Sequence, residues 1–272
     1  MVLPWKRSVL LKTTRQHEIM KLLMLRQTIK TEDLVEEMGV SIETIRRDIN
    51  DLVRQGLVAK MYGGIRVVQN DMRITVQESW TKRMETCHDE KVAIASRALE
   101  LVPDNATIAL DTGTTVYEFS RLLGGRKNLT VITNSLNIAG ELSQNTQHTI
   151  YSVGGMLNRG EIVTVGTFAC GFLDNFASID LFVCSADGLT PENGVTEFVE
   201  SMVDIKRRMS AISDRILLLA DHGKFGKKSL FKSIATEDID VIVTDARTPA
   251  AALEPFREYP MEILIADRHD RV

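Results

Sequence analysis

A helical period governs the apolar positions up to Leu52, and past Pro103 short apolar runs alternate with helical patterns. From Arg15 to Arg26, Ile19, Leu22, Leu23 and Leu25 stand among polar residues at roughly helical spacing. Thr31 is expected to cap a second short helix, with Glu32 and Asp33 in the first turn, where the helix dipole favours acid. Leu34, Val35 and Met38 form its inner face, and Gly39 ends it because glycine enters the left-handed region most easily. Ser41 caps a third helix in which Ile42, Ile45, Ile49 and Leu52 form a stripe predicted to be buried. A strand over 57–60, a turn at Tyr62-Gly63-Gly64 and a strand over 65–68 then make a wing.

Residues 69–90 are polar and without sustained period, which predicts a linker turning helical near 85–90 and leading into a helix over 91–101. Arg83 and Lys91 fall here and are expected on solvated surface. Strands are then predicted over 107–110, 129–132, 148–153, 180–184, 216–220, 241–243 and 262–265. Helices are predicted over 115–123, 136–142, 166–172, 199–213 and 250–256. Such alternation implies an α/β domain with a mostly parallel sheet covered on both faces. The expected domains are 1–68, a linker 69–90, and 91–272.

Charge sharpens the division. Residues 1–68 hold 12 Lys and Arg against 8 Asp and Glu, a net of +4, and the rest hold 21 against 29, a net of −8. A basic head on an acidic body suits a protein whose head alone meets phosphate. No apolar run has the length of a membrane span and the first residues lack a signal-peptide core, so no membrane association and a cytoplasmic location are expected. Cys87, Cys170 and Cys184 lie far apart and are expected as small buried hydrophobes. The five histidines show no metal-ligand spacing. No metal and no cofactor are expected.

Two sets of residues carry chemistry. On the third helix, Glu43, Thr44, Arg46, Arg47 and Asn50 lie opposite the isoleucine stripe, with Ser41 at its start. Arginine can fork two hydrogen bonds onto guanine and asparagine onto adenine, and either reaches phosphate. Lys60 and Arg66 of the wing are placed for contact with the DNA backbone. In the body, the residue sets just after the first five strands are small or polar: Asp111-Thr112-Gly113-Thr114-Thr115, Thr133-Asn134-Ser135, Gly154-Gly155, Ser185-Ala186-Asp187-Gly188 and Asp221-His222-Gly223-Lys224. Ligands bind parallel sheets at that edge. Free backbone N–H groups at helix starts seat phosphate there, Lys224 adds a point charge, and Asp111, Asp187 and Asn134 suit sugar hydroxyls. His222 is expected on the surface or behind a ligand contact.

The run Arg15-x3-Ile19-x3-Leu23 followed by Ser41-x2-Thr44-Ile45-Arg46-Arg47-Asp48-Ile49, with Gln55-Gly56-Leu57 and Gly63-Gly64, resembles the helix-turn-helix and wing of DeoR-type regulators. The five body loops, with Phe225 after Lys224, resemble that family's effector domain, itself similar to the sugar-phosphate isomerase and CoA-transferase type of α/β fold. Together the resemblance spans roughly 15–265. It implies a repressor of a carbohydrate-utilisation operon, controlled by a phosphorylated sugar, that binds a double-stranded DNA operator as a homodimer or homotetramer. Carried over by position, it puts phosphate on Gly113, Thr114, Thr115 and Lys224, and polyol on Asp111, Asn134, Asp187 and Glu197. The alternative is a sugar-phosphate isomerase with an accessory head. Against it, the related isomerases carry a second acid close behind the aspartate equivalent to Asp187, and none stands here before Glu192.

Overall fold

A computed structural model describes residues 12–26, 28–54, 58–61, 63–67 and 80–267. Expectations for His17, the Leu25 side chain, residues 55–57, Tyr62, Val68, the 69–79 part of the linker and His269 lie outside the described residues. Packing divides the chain between residues 76 and 77 into two units.

The first unit runs α1 (Lys12–Arg26), β1 (Thr28–Lys30), α2 (Thr31–Met38), α3 (Ile42–Arg54), β2 (Val58–Met61) and β3 (Gly64–Val67). Ile19, Leu23, Leu34, Ile45, Ile49 and Leu52 are buried between the three helices, at about 1.5–3 kcal/mol each. Ile42 is only partly covered, so the isoleucine stripe begins one turn later than its spacing suggested. Ser41 caps α3 as expected, its Oγ accepting from Thr44 N at 3.3 Å. Gly39 closes α2 at φ 62°, its N–H donating to Val35 O. Thr31 does not cap α2. Lys30 takes that position, because an unforeseen strand, β1, delivers the chain straight into the helix.

That strand completes a three-stranded antiparallel wing in the order β1-β3-β2. Ile29 pairs with Ile65 and Lys30 with Gly64. A side chain at Gly64 would stand 2.3 Å from the Ile29 carbonyl oxygen, so the glycine serves strand approach as much as the turn.

The second unit begins with α4 (Trp80–Glu85) and α5 (His88–Leu99). Residues 80–90, expected within a linker, thus form helices of this unit, with the Trp80 ring edge-on to Tyr117 at 5.9 Å. Next come β4 (Thr107–Leu110), α6 (Thr114–Leu122), β5 (Thr130–Thr133), α7 (Leu136–Asn145), β6 (Thr149–Ser152), β7 (Met156–Asn158), β8 (Val163–Val165), α8 (Thr167–Leu173) and β9 (Leu181–Ser185). The chain finishes with β10 (Gly188–Thr190), β11 (Gly194–Glu197), α9 (Glu200–Ala211), β12 (Ile216–Leu219), β13 (Phe231–Ile234), β14 (Val241–Asp245), α10 (Ala250–Leu253) and β15 (Glu262–Ala266).

All seven expected strands are present and form one parallel sheet in the order β15-β14-β12-β9-β4-β5-β6. Alternate strand residues serve opposite faces, as a sheet buried on both sides requires. Leu217 and Leu219 join the core with Ile94 and Phe119, and Leu218 joins the core with Leu173 and Met209. The unforeseen strands are short and antiparallel: a β7–β8 hairpin and the set β10-β11-β13. The chain leaves β4 outward through β5 and β6, then returns beside β4 as β9 and runs the other way. The loops after β4 and β9 therefore flank a topological switch point, where such sheets open a crevice.

Candidate DNA-reading helix and sensor site

Helix α3 turns Ile45, Asp48, Ile49 and Leu52 inward and leaves Ser41, Glu43, Arg46, Arg47 and Asn50 exposed, with Thr44 half-buried. Beneath it, Asp48 is 1% exposed and receives both Nε and Nη2 of the buried Arg15, the latter at 3.1 Å. This forked pair ties α1 to α3 and fixes the angle at which the outer face is presented. Lys60 and Arg66 are exposed on β2 and β3. Arg46, Asn50 and Lys60 share a groove of about 310 Å³ with Ile42 and Gly64. Duplex DNA requires such a convex, donor-rich helix supported from behind.

In the second unit, the loops after β4 and β9 meet. Gly113, at φ 129°, begins α6 where a side chain would collide with Ser185 Oγ at 2.2 Å, so the two loops close on each other only through glycine. Asp111, Thr112, Thr114, Thr115 and Asn134 are all buried at this edge. Thr112 Oγ1 and Asn134 Oδ1 lie buried with no hydrogen-bond partner. Buried polar atoms are rarely left so, and two of them stand at one crevice. Asp187 is half-buried and its carboxylate accepts from Phe198 N at 2.8 Å.

Other sequence candidates are placed by packing. Ser135 is fully buried and caps α7 through Ile138 N. Gly154 and Gly155 are exposed between β6 and β7, and Gly155 sits against Val165 and Ala169 of the hairpin and α8. Gly188 lies where a side chain would meet the Lys227 carbonyl at 2.5 Å. Lys224 ends the turn after β12, its N–H donating to Asp221 O, with its ammonium near enough to Lys91 to disfavour that charge.

Reading the residues alone missed the group at the centre of the crevice. Lys206 of α9 is 1% exposed. Its ammonium lies 2.9 Å from Asp111 Oδ2, contacts Glu197 Oε1, and donates to Ser185 O at 2.6 Å. The two carboxylates hold its proton firmly, and its pKa is raised. One signal existed: a lysine three residues from both Val203 and Met209, on the apolar stripe of α9. Lys91 also proves buried, and Arg83 half-buried, rather than solvated. Arg83 meets the buried Glu161 from the β7–β8 turn, and Lys91 donates to the carbonyls of Arg83 and Thr86. Burial brings Lys91 down to about 8. Two acids outside the loop behind Asp187, Glu197 and Glu161, both feel the charges of Asp187 and Asp111.

Burial, and then the carboxylates of Asp187 and Asp111, push Glu197 up to about 8 against the pull of Lys206. A proton held more tightly in the folded chain stabilises it fully below the ordinary value near 4.5, and that contribution is lost as pH rises through about 8. Urea denaturation of Glu197→Gln between pH 5 and 8 is therefore expected to lose less stability over that interval than the parent. Identical slopes would remove this role from Glu197.

Residues 15–71 match the DeoR-like helix-turn-helix domain, and residues 86–246 match the DeoR C terminal sensor domain. The chain belongs to the DeoR family. This DeoR-family regulator is 29% identical over 251 residues to the glycerol-3-phosphate regulon repressor of Escherichia coli K12, covering 92% of its own chain and 98% of that one. It is 31% identical over 253 residues to the regulator GolR of Listeria innocua, with 93% and 98% covered, and 33% identical over 239 residues to the repressor AccR of Agrobacterium fabrum, with 86% and 90% covered. Among solved structures, ribose 5-phosphate isomerase A from Methanocaldococcus jannaschii aligns with 51% of the regulator and 55% of its own chain, at 19% identity and a TM-score of 0.39. The regulator is a transcription factor whose first unit carries the DNA-binding helix-turn-helix and whose second is a sensor. No helix among its described residues is long and apolar enough to cross a membrane.

Proposed function

We propose that this regulator is a cytoplasmic repressor of a carbohydrate-utilisation operon, released from or driven onto its operator by a phosphorylated sugar. The observation that carries the DNA half is the outward face of α3, with Arg46, Arg47 and Asn50 exposed over a buried Arg15–Asp48 fork. One such head touches too few bases to single out an operator among millions of competing sites. The working species is therefore a homodimer or homotetramer reading paired half-sites. Arg46→Ala is expected to weaken operator binding by about 1–3 kcal/mol and relax specificity at one base pair, whereas Lys60→Ala lowers the salt dependence by about one contact. Equal binding of parent and Arg46→Ala in a gel-shift titration would take α3 out of base reading at that residue.

The sensor half rests on the crevice at the switch point. Gly113, Thr114 and Thr115 open α6 and offer backbone N–H groups to phosphate, with Lys224 as a further cation. Asp111, Asn134, Asp187 and Glu197 accept from sugar hydroxyls. A ligand that prefers one arrangement of the heads by about 1–3 kcal/mol changes operator affinity roughly 5–150-fold. Candidate sugar phosphates titrated into a promoter-binding assay should shift operator occupancy at least fivefold for one of them. No shift with any pentose, hexose or triose phosphate would reject the class. The acids Asp111 and Glu197 on Lys206 make an isomerase reading open to direct assay: purified protein with pentose and hexose phosphates is expected to show no turnover, and isomerisation at an enzymatic rate would favour the enzyme.

A further inference from the structure

Three side chains not assigned to effector binding meet just past the end of β12, on the same sheet edge as the crevice. Cys87 stands at the break between α4 and α5, and Asp221 and His222 follow the strand, 134 and 135 positions on. Their ligand-capable atoms all lie within 4.8 Å of one another. Asp221 is buried, and Cys87 and His222 are half-buried, so the cluster is reachable from solvent. The imidazole is already oriented. Asp245, at the end of the neighbouring β14, lies 3.1 Å from His222 Nδ1 and accepts His222 N–H at 2.7 Å. This leaves Nε2 for another partner, the arrangement in which a carboxylate sets the tautomer of a metal-binding histidine. Cys87 holds a left-handed backbone, φ 53°, and makes no side-chain capping bond to α5.

We propose that Cys87, Asp221 and His222 bind a divalent cation of the zinc class, with one coordination position left open. A thiol, an imidazole and a single carboxylate suit Zn²⁺ and exclude the hard cations Mg²⁺ and Ca²⁺, which take oxygen ligands. Ligand bonds of about 2.0–2.3 Å would draw the three atoms to roughly 3.3–3.8 Å of one another, a closure side-chain rotation can supply. The alternative use of a Cys–His–Asp set, a nucleophilic thiolate, is opposed by the surroundings: burial, Asp221 and Glu90 push the Cys87 thiol up. A cation reverses that, and binding releases the thiol proton to solvent as the metal–sulfur bond forms. The cations whose charges reach Cys87 are the Lys91 ammonium and the Arg247 guanidinium. The ion then clamps the α4–α5 break onto the edge of the sheet.

The test uses full-length protein, stripped with EDTA, desalted, and titrated with Co²⁺ and then Zn²⁺. The expected result is one Co²⁺ per chain, with a thiolate-to-cobalt charge-transfer band and tetrahedral visible bands, both lost on adding Zn²⁺. Cys87→Ser should abolish the charge-transfer band, His222→Gln should weaken Co²⁺ binding at least 10-fold, and Asp245→Asn should weaken it about 10–100-fold. Cys170→Ser should leave the band unchanged. Absence of the band in the parent, or its persistence in Cys87→Ser, overturns the site. Should Cys87→Ser fail to fold, undiminished Co²⁺ affinity in His222→Gln overturns it instead. None of these readings depends on DNA or sugar phosphate, so the proposed repressor function stands or falls separately.

Discussion

Asp48→Ala should destabilise the N-terminal unit by about 3–5 kcal/mol, the cost of stripping a buried cation of its carboxylate. Arg15 and Asp48 are 7% and 1% exposed, and the guanidinium meets the carboxylate through two nitrogens. Coulomb attraction in that setting little more than offsets the desolvation of both ions, so the pair adds modest net stability while intact. Removing one partner exposes the full desolvation cost of the other. A small domain holds roughly 5–15 kcal/mol in all, so the loss would leave much of the head unfolded at 37 °C. Operator binding would fall with it, although Asp48 touches no DNA. The control is the double variant Arg15→Met/Asp48→Leu, which removes both charges and should recover most of the loss. Urea denaturation of the full chain, followed by amide exchange within α3, reads both. A loss below about 1 kcal/mol in Asp48→Ala would mean that the fork is not what holds α3 against α1.

Lys206→Met is expected to cost the sensor unit a similar amount, about 3–5 kcal/mol, and to abolish its response to effector. The ammonium is the counter-charge that the structure places directly on Asp111 and Glu197, both also buried. Without it, two carboxylates face each other across the crevice in a medium that solvates neither well. One of them takes up a proton, and α9 loses its tie to Ser185 O at the end of β9. Lys206→Met/Glu197→Gln removes one negative charge with the positive one and should regain part of the stability without regaining the effector response. Stability is read by thermal denaturation at pH 9, above the value of about 8 at which Glu197 ionises, and the response by operator release under saturating sugar phosphate. A variant that melts with the parent would show that the three charges are solvated rather than mutually held.

Much of this architecture was legible because burial leaves a period in the sequence. Seven apolar runs became seven strands of one sheet, and Ile45, Ile49 and Leu52 on one side of α3 told which side Arg46, Arg47 and Asn50 occupy. The five small-residue loops all stand at the ends of sheet strands, where backbone conformation demands glycine and hydroxyl residues. Several elements could not be read. Strand β1 is three residues long, too short to show alternation, and exists because Gly64 lets β3 approach Ile29. Helix α4 has no buried residue to mark it, and its hold on the second unit comes through Trp80 and Arg83 meeting Tyr117 and Glu161.

By itself, then, the order of residues determined two units, the exposed polar face of α3, a parallel sheet and the edge where its small-residue loops gather. Those properties depend on local spacing, which a linear chain records directly. Tertiary structure alone decided which charges meet: Arg15 with Asp48, Lys206 with Asp111 and Glu197, Arg83 with Glu161, and Cys87 with Asp221 and His222. Such encounters join positions from 9 to 135 residues apart, and nothing in the neighbourhood of either partner announces the other. Their energies come from shared desolvation, which exists only once the fold has closed water out.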